Sequence, residues 1–333
     1  MPKQLPASPA STRKSNLQAS VTSRSMRKGF MLNRRFKESI FSVLLVLVFG
    51  MFAPQPVIGQ VIIVKSSDNS YFDQTINTLK KHVDPATRFK VLKATELGDG
   101  LTSIGRGDLF VALGQSAVEA VTQLDSAANS INAYLTLEQY RNLNLNHHLT
   151  IVLDQPMHRY LAFCKLMLGI ESIGVIEANG IDPNQYKTQT LEQFQLQLNQ
   201  YSIDKANKLL PVLRDLLKQN DVLLMLPRQS IYNRDTLKGV LLTSYRNRKP
   251  AISYSPAHVK SGAVASIFSS PVDIGRHLAL LLNQKLNNQF HNSPPLQFAR
   301  FYTITTNLRI ADALGIDLPE EGELRSRIDE LQP

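Results

Sequence analysis

From residue 60 onward the chain alternates short apolar runs with helix-patterned segments, and it does so in two successive series. No other feature of its 333 residues constrains the fold as much. The first series holds the runs "QVIIVK" (60–65), "RFKVLKA", "DLFVALG" (108–114), "SINAYLTL" and "LTIVLD". Its helical segments are "SYFDQTINTLKKHV" (70–83), "QSAVEAVTQL" and "QPMHRYLAFCKLMLGI", the last with Pro156 near its first turn. The second series opens at "SIGVIEA" (172–178) and continues through "FQLQLNQYSI", "DVLLMLP" (221–227) and "PAISYS". Its helices are "DKANKLLPVLRDLLKQN", where Pro211 marks a kink or a late start, "RDTLKGVLLTSYRN" and "SPVDIGRHLALLLNQKLNN" (270–288). Strand and helix in alternation, twice over, predict an α/β fold of two doubly wound parallel-sheet lobes covered by helices. Ligands of such sheets sit beyond the carboxyl ends of the strands, so two facing lobes make a cleft.

Local signals set the expected boundaries. Ser70 stands as N-cap of the first helix with Asp73 three residues on, and Ser270, Pro271 and Asp273 form a capping box at the start of the last. In "FQLQLNQYSI" the apolar Phe194, Leu196 and Leu198 alternate with polar residues, the period of a half-buried strand.

The net charge of +10 suggests a polyanion partner until its location is considered. Residues 1–60 hold nine Lys or Arg against the single acid Glu38, leaving 28 basic and 26 acidic residues in the remaining 273. A near-neutral body has no electrostatic footprint for nucleic acid, so none is expected as partner. The basic head "RKGFMLNRRFK" leads into the apolar "SIFSVLLVLVFGMFA" (39–53), after which Pro54 and Pro56 break any helix. A membrane-spanning helix needs about 20 apolar residues, so this segment is short for an anchor and suits a signal h-region. Val57 and Gly59 occupy the −3 and −1 positions of a cleavage site before Gln60. Export to the periplasm is expected, with anchoring to the inner membrane by residues 39–53 and an organellar presequence as alternatives. Met26 or Met31 is an alternative start to Met1, because the head is long for an n-region.

The lone cysteine, Cys164, excludes an intramolecular disulfide and lies in a helix pattern that suits a small buried hydrophobe. His147 and His148 are adjacent and therefore not on one helix face, and no other groups stand at ligand spacing, so no metal and no cofactor are expected.

Three segments resemble a known family. "DVLLMLPRQSIYNRDTLKGVLLTSYRNRKPAISYSPAHVKSGAVASIFSSPVDIGRHLALLL" is similar to the C-terminal half of periplasmic substrate-binding proteins of the ABC-transporter family that includes tryptophan- and tyrosine-type binders. "ESIGVIEANG" resembles the strand opening that family's second lobe, and "TTNLRIADALGIDLP" (305–319) its closing segment. The likeness covers about residues 61–330. It implies the type I periplasmic-binding fold, with a multi-strand hinge crossing near 153–157, 255–262 and 290–305. Residues 60–153 with 258–290 would then form lobe 1, and 154–257 with 291–333 lobe 2 and the hinge, behind a head of residues 1–59. It further implies a monomer that captures a small organic ligand, amino-acid-like or carboxylate, by hinge closure and delivers it to an ABC permease without catalysis. A periplasmic sensor serving a receptor kinase or chemoreceptor, and an anchored interaction protein, are the rival readings. Two departures stand out. Arg228 follows the proline of "LMLP" where the family often has an acid, and only about 15 residues separate "IGVIEA" from "FQLQLNQYSI".

The candidate ligand contacts follow from strand ends. Ser66 and Ser67 can hydrogen-bond a carboxylate and Phe72 can wall a pocket; the alternative is a capping loop with Phe72 in the core. In "GQSAVEAV", Gly114 permits a tight turn and the amides of Gln115 and Ser116 can meet an anion at a helix start, unless a Ser116–Glu119 capping box uses them. With Asp273 and His277, Ser116 also sketches a hydrolase triad, although Val118 replaces the last glycine of G-x-S-x-G. Arg228 at a strand end is a bidentate anion clamp, which points to an acidic ligand; the alternatives are solvent or Asp235. Gln229, Tyr232 and Tyr254 offer hydrogen bonds and ring stacking, and Thr136 ends the fourth strand. No catalytic set is expected.

Overall fold

The computed structural model describes residues 60–97, 108–124, 129–178, 189–203, 208–287 and 293–331. The expected export signal, the cleavage site before Gln60 and the alternative starts lie outside the described residues.

Two six-stranded sheets carry the chain. The first contains β1 (Val61–Lys65), β2 (Phe89–Lys93), β3 (Leu109–Leu113), β4 (Ser130–Leu135) and β5 (Leu149–Val152), joined at its edge by β11 (Leu296–Phe298). Its order is β11-β5-β4-β3-β1-β2 and every pairing is parallel. The second contains β6 (Ser172–Ala178), β7 (Gln197–Ile203), β8 (Val222–Leu224), β9 (Ala251–Ser253) and β10 (Ala265–Phe268), joined by β12 (Thr303–Thr306). Its order is β12-β10-β9-β8-β6-β7, parallel except for the antiparallel β10–β12 pair. Each sheet thus repeats one plan: the first strand lies between the second and third, the crossing point where doubly wound sheets leave a crevice.

The apolar runs become central strands because helices cover both of their faces. All five residues of β3 are buried, as are the first four of β1. In the first lobe α1 (Ser70–Lys81) packs one sheet face, while α2 (Gln115–Thr122) and the short α3 (Leu137–Asn142) cover the other with Ile62, Phe110 and Ala112 beneath them. In the second lobe α4 (Met157–Leu168) covers one face. The other is covered by α6 (Leu209–Gln219) and α7 (Leu237–Arg246), with the short α8 (Pro256–Ser261) beside them. Cys164 lies in the α4 core, fully buried, and burial pushes its thiol pKa well up. The short α5 (Gln189–Gln193) fills the abbreviated crossover before β7. The long α9 (Pro271–Leu286) packs against α1, and α10 (Leu308–Leu314) and α11 (Glu321–Glu330) finish the chain over α4.

Several expectations shift. The α1 cap is Asn69, whose side chain accepts the Tyr71 amide at 2.9 Å, not Ser70. β7 starts at Gln197: Phe194 and Leu196 precede it, packed under α4, because Gln195 with φ +51° turns the chain there. Pro211 falls inside the first turn of α6, where a missing N–H costs little, so the late-start alternative holds. The lobe boundaries move as well. Residues up to Phe268 stay with the second sheet through the β9–β10 and β10–β12 pairings, and β11 belongs to the first sheet. The chain therefore passes between lobes at 153–156, at 269–270 and at 299–302, the second crossing lying after β10 rather than near 255–262.

Candidate functional site

The carboxyl ends of the first sheet supply the first group of candidates. Gly114 leaves β3 at φ +88°, a left-handed conformation that favours glycine, and a Cβ there would sit 2.7 Å from Ser66 Oγ. That close approach explains Ser66: its Oγ accepts the Ala117 amide at 3.0 Å and caps α2 from the neighbouring strand. The Ser116–Glu119 box does not form, and Glu119 instead accepts from Gln115 Nε2 at 2.8 Å. Thr136 is likewise occupied, accepting from the Gln139 amide at 3.1 Å as cap of α3. Phe72 is packed in the core, edge-on to Tyr134 with ring centroids 5.0 Å apart. Ser67, Gln115 and Ser116 remain exposed at this strand end, with Gln139 Nε2 donating to Gln115 Oε1 at 2.9 Å.

On the second sheet the anion clamp is corrected. Arg228, 4% exposed, donates from Nε and Nη2 to the two carboxylate oxygens of Glu177 at 2.7 and 3.0 Å. Its Nη1 reaches Asp154 Oδ1 at 3.4 Å and the Pro227 carbonyl at 3.4 Å. The guanidinium therefore folds inward onto β6 and the first crossover, not outward or towards Asp235. Two carboxylates against one guanidinium leave the cluster formally at −1. Asp154 Oδ2 also accepts the Leu137 amide at 2.7 Å, at the start of α3. One carboxylate thus joins the first lobe to the end of β8 in the second. Burial raises the pKa of Asp154, opposed by that amide and by Arg228. Tyr254, half-buried at the end of β9, stacks edge-on against His258 with its pKa pushed up to about 12 by burial. Tyr232 is buried in the core behind β8, which removes it from ligand reach, whereas Gln229 is exposed.

Sequence reasoning missed the residues that tie the three crossovers together. Gln155 Nε2 donates to Ser269 Oγ at 2.9 Å, and Ser269 Oγ donates to the Phe301 carbonyl at 2.8 Å. Arg159 Nη1 bridges Gln155 Oε1 and the Ala299 carbonyl at 2.6 and 2.9 Å. Only Glu177 gave a sequence signal: an acid inside an apolar strand requires a buried partner.

The hydrolase sketch fails on partners. Asp273 Oδ2 accepts from Ser270 and from Thr303 Oγ1, both at 2.7 Å, while His277 Nδ1 accepts the Arg300 amide at 3.3 Å. Neither is available to Ser116. Among the described residues no group of three His, Cys, Asp or Glu is placed to hold a metal ion.

Two α/β lobes of equal strand order, joined by three crossovers with an ion cluster where their strand ends meet, define a type I periplasmic-binding architecture. The chain belongs to the ABC transporter substrate binding protein family, whose model matches residues 156–326. It is similar to the ligand-free, open structure of a substrate binding protein with adhesive properties from Clostridium difficile: 15% identity, 79% of this chain and 96% of that one, TM-score 0.57. A domain from Streptococcus pneumonia in complex with L-Trp matches at 14% identity over 80% of this chain and 98% of that one, with a TM-score of 0.49. The Clostridium difficile likeness shows the fold. No curated protein matches the chain.

Proposed function

We propose that this family member acts outside the cytoplasm, capturing a small amino-acid-like ligand between the lobes and delivering it to an ABC permease without chemical change. The observation that carries the reading is the Asp154–Arg228 contact, which ties the segment after β5 in one lobe to the segment after β8 in the other. A cluster that is formally −1 favours an ammonium or neutral donor groups over a second carboxylate, so the acidic ligand is set aside. Gln229 and Tyr254 from one lobe, with Ser67, Gln115 and Ser116 from the other, supply the polar contacts. Hinge closure about the three crossovers would bring these groups together around the ligand.

The test is thermal unfolding of the chain against amino acids, dicarboxylates and nucleosides, with Tyr254→Phe and Gln229→Ala alongside. A ligand at a hundred times its dissociation constant adds about 2.7 kcal/mol. Stabilisation by an amino acid that weakens in both variants is the expected result. Stabilisation by dicarboxylates alone would overturn the charge argument. A flat response to every compound would count against small-molecule capture.

A further inference from the structure

We propose that the outward face of α7, with the cations that flank it, is a docking surface for an anionic phospholipid bilayer. The helix buries Val240 and Leu241 in the second-lobe core and turns Lys238, Leu242, Tyr245 and Arg246 outward. At 3.6 residues per turn these four fall within about 100° of arc. Leu242 and Tyr245 are 41% and 43% exposed. The other exposed large hydrophobics among the described residues, Tyr71, Val91, Leu280 and Leu308, stand singly on separate elements, so α7 alone presents two together.

Charge gathers on the same face. Residues 234–249 hold Arg234, Lys238, Arg246, Arg248 and Lys249 against the single acid Asp235, a surplus of +4. Residues 61–333 hold 28 basic and 26 acidic residues; less these five and one, 23 and 25 remain, so the patch is positive on a body that is otherwise slightly negative. Arg234, Lys238, Arg246 and Arg248 are exposed and make no ion pair among the described residues, and Lys249 reaches Asp221 Oδ1 only at 3.7 Å. Arg246 and Arg248 lie at the carboxyl end of α7, where the helix dipole favours cations. Lys238 stands in the first turn, which holds no acid and where the dipole disfavours a cation, so helix energetics does not account for the whole set.

Size decides the kind of partner. A stable protein interface takes roughly 20–30 residues a side around an apolar core, far more than two exposed apolar side chains provide. A bilayer surface asks for less. Each basic residue close to anionic headgroups raises the association constant about fivefold. Leucine and tyrosine between the cations can enter the headgroup layer, while lysine and arginine extend their charged ends to the phosphates. None of the proposed ligand contacts takes part, so this surface stands or falls apart from ligand capture.

The chain contains no tryptophan, so Tyr245→Trp places a single fluorescent reporter on the face itself and makes the readout local, whatever the rest of the chain contributes. The full chain is titrated at low salt with phosphatidylglycerol vesicles, with phosphatidylcholine vesicles and with polyglutamate. A saturable blue shift with phosphatidylglycerol is expected, and none with phosphatidylcholine. The shift should vanish at about 0.5 M salt, where the Debye length falls to roughly 4 Å. Adding the exposed substitutions Lys238→Glu and Arg246→Glu, with the fold intact by circular dichroism, should raise the apparent Kd for the vesicles about tenfold or more, as the loss of two headgroup contacts requires. Leu308→Trp, on α10 over the opposite face of the second sheet, is the comparison reporter and should not shift. No shift of Tyr245→Trp with phosphatidylglycerol, a shift indifferent to salt or to the two glutamates, or an equal shift of Leu308→Trp would each overturn the proposal. A shift with polyglutamate in place of phosphatidylglycerol would overturn it too, and would assign the face to an acidic protein.

Discussion

Arg228 brings one positive charge into a place that already holds two carboxylates, and the geometry decides what it can do there. Its forked guanidinium matches both oxygens of Glu177, so the strongest contacts a ligand carboxylate would seek are already made within the chain. Breaking a buried pair by removing one partner costs far more than the pair contributes net, because the other charge is left uncompensated. Arg228→Met should therefore lower unfolding stability by about 3–5 kcal/mol, read as a fall in the urea midpoint at unchanged slope. Adding Glu177→Leu should recover part of that loss. A single-variant loss below about 1 kcal/mol, the range of exposed pairs, would mean that the guanidinium is solvated. The sequence showed an arginine at a strand end; it held no sign of direction, since Glu177 lies 51 positions away and only the β6–β8 pairing brings the two together.

Elements are legible from the chain where local periodicity and caps agree, and illegible where a neighbour sets the terms. The capping box of Ser270 with Asp273 forms as its spacing requires. The short β11 and β12, by contrast, have three and four residues and no period of their own; they are strands because sheet edges accept them. Helix packing supplies a paired prediction. A Cβ on Gly275 of α9 would meet Thr78 Cβ at 2.7 Å and the Thr75 carbonyl at 2.8 Å, so α1 and α9 approach as closely as they do only because that side chain is absent. Gly275→Ala should destabilise by about 1–3 kcal/mol through overpacking. Gly239 of α7 would bring its Cβ only to ordinary contact, 3.6 Å from Leu210. Gly239→Ala should accordingly stabilise, by about 0.5–1 kcal/mol, because alanine loses less freedom on folding. Thermal unfolding of the two variants checks both signs, and like signs would refute the packing account.

At the scale of the whole molecule, stability should depend on pH through histidines that the fold keeps neutral. Burial lowers the pKa of His277 to about 4, aided by Arg300 and Arg159, and burial alone lowers that of His258 to about 4. A depressed folded-state pKa contributes stability that is complete above the unfolded value near 6.5 and is lost as pH falls towards 4. His277 should account for about 3 kcal/mol of that loss, at 1.36 kcal/mol per pKa unit. Asp154 works in the opposite sense, because protonation relieves its buried charge and offsets part of the fall. Urea titrations between pH 7 and pH 4 should show the midpoint dropping, and a smaller drop in His277→Gln; equal slopes would exclude His277 as a source. The sequence by itself determined the doubled strand–helix alternation, and with it two parallel sheets with sites at their strand ends, because burial on both faces and helical period are properties of neighbouring residues. Only the tertiary structure decided the rest: which sheet takes β10 and β11, where the three crossovers tie together through Gln155 and Ser269, and that Arg228 turns inward. Those depend on groups far apart in the chain, and a side chain's partners are set by what the fold brings within about 3 Å of it, a distance that no local pattern encodes.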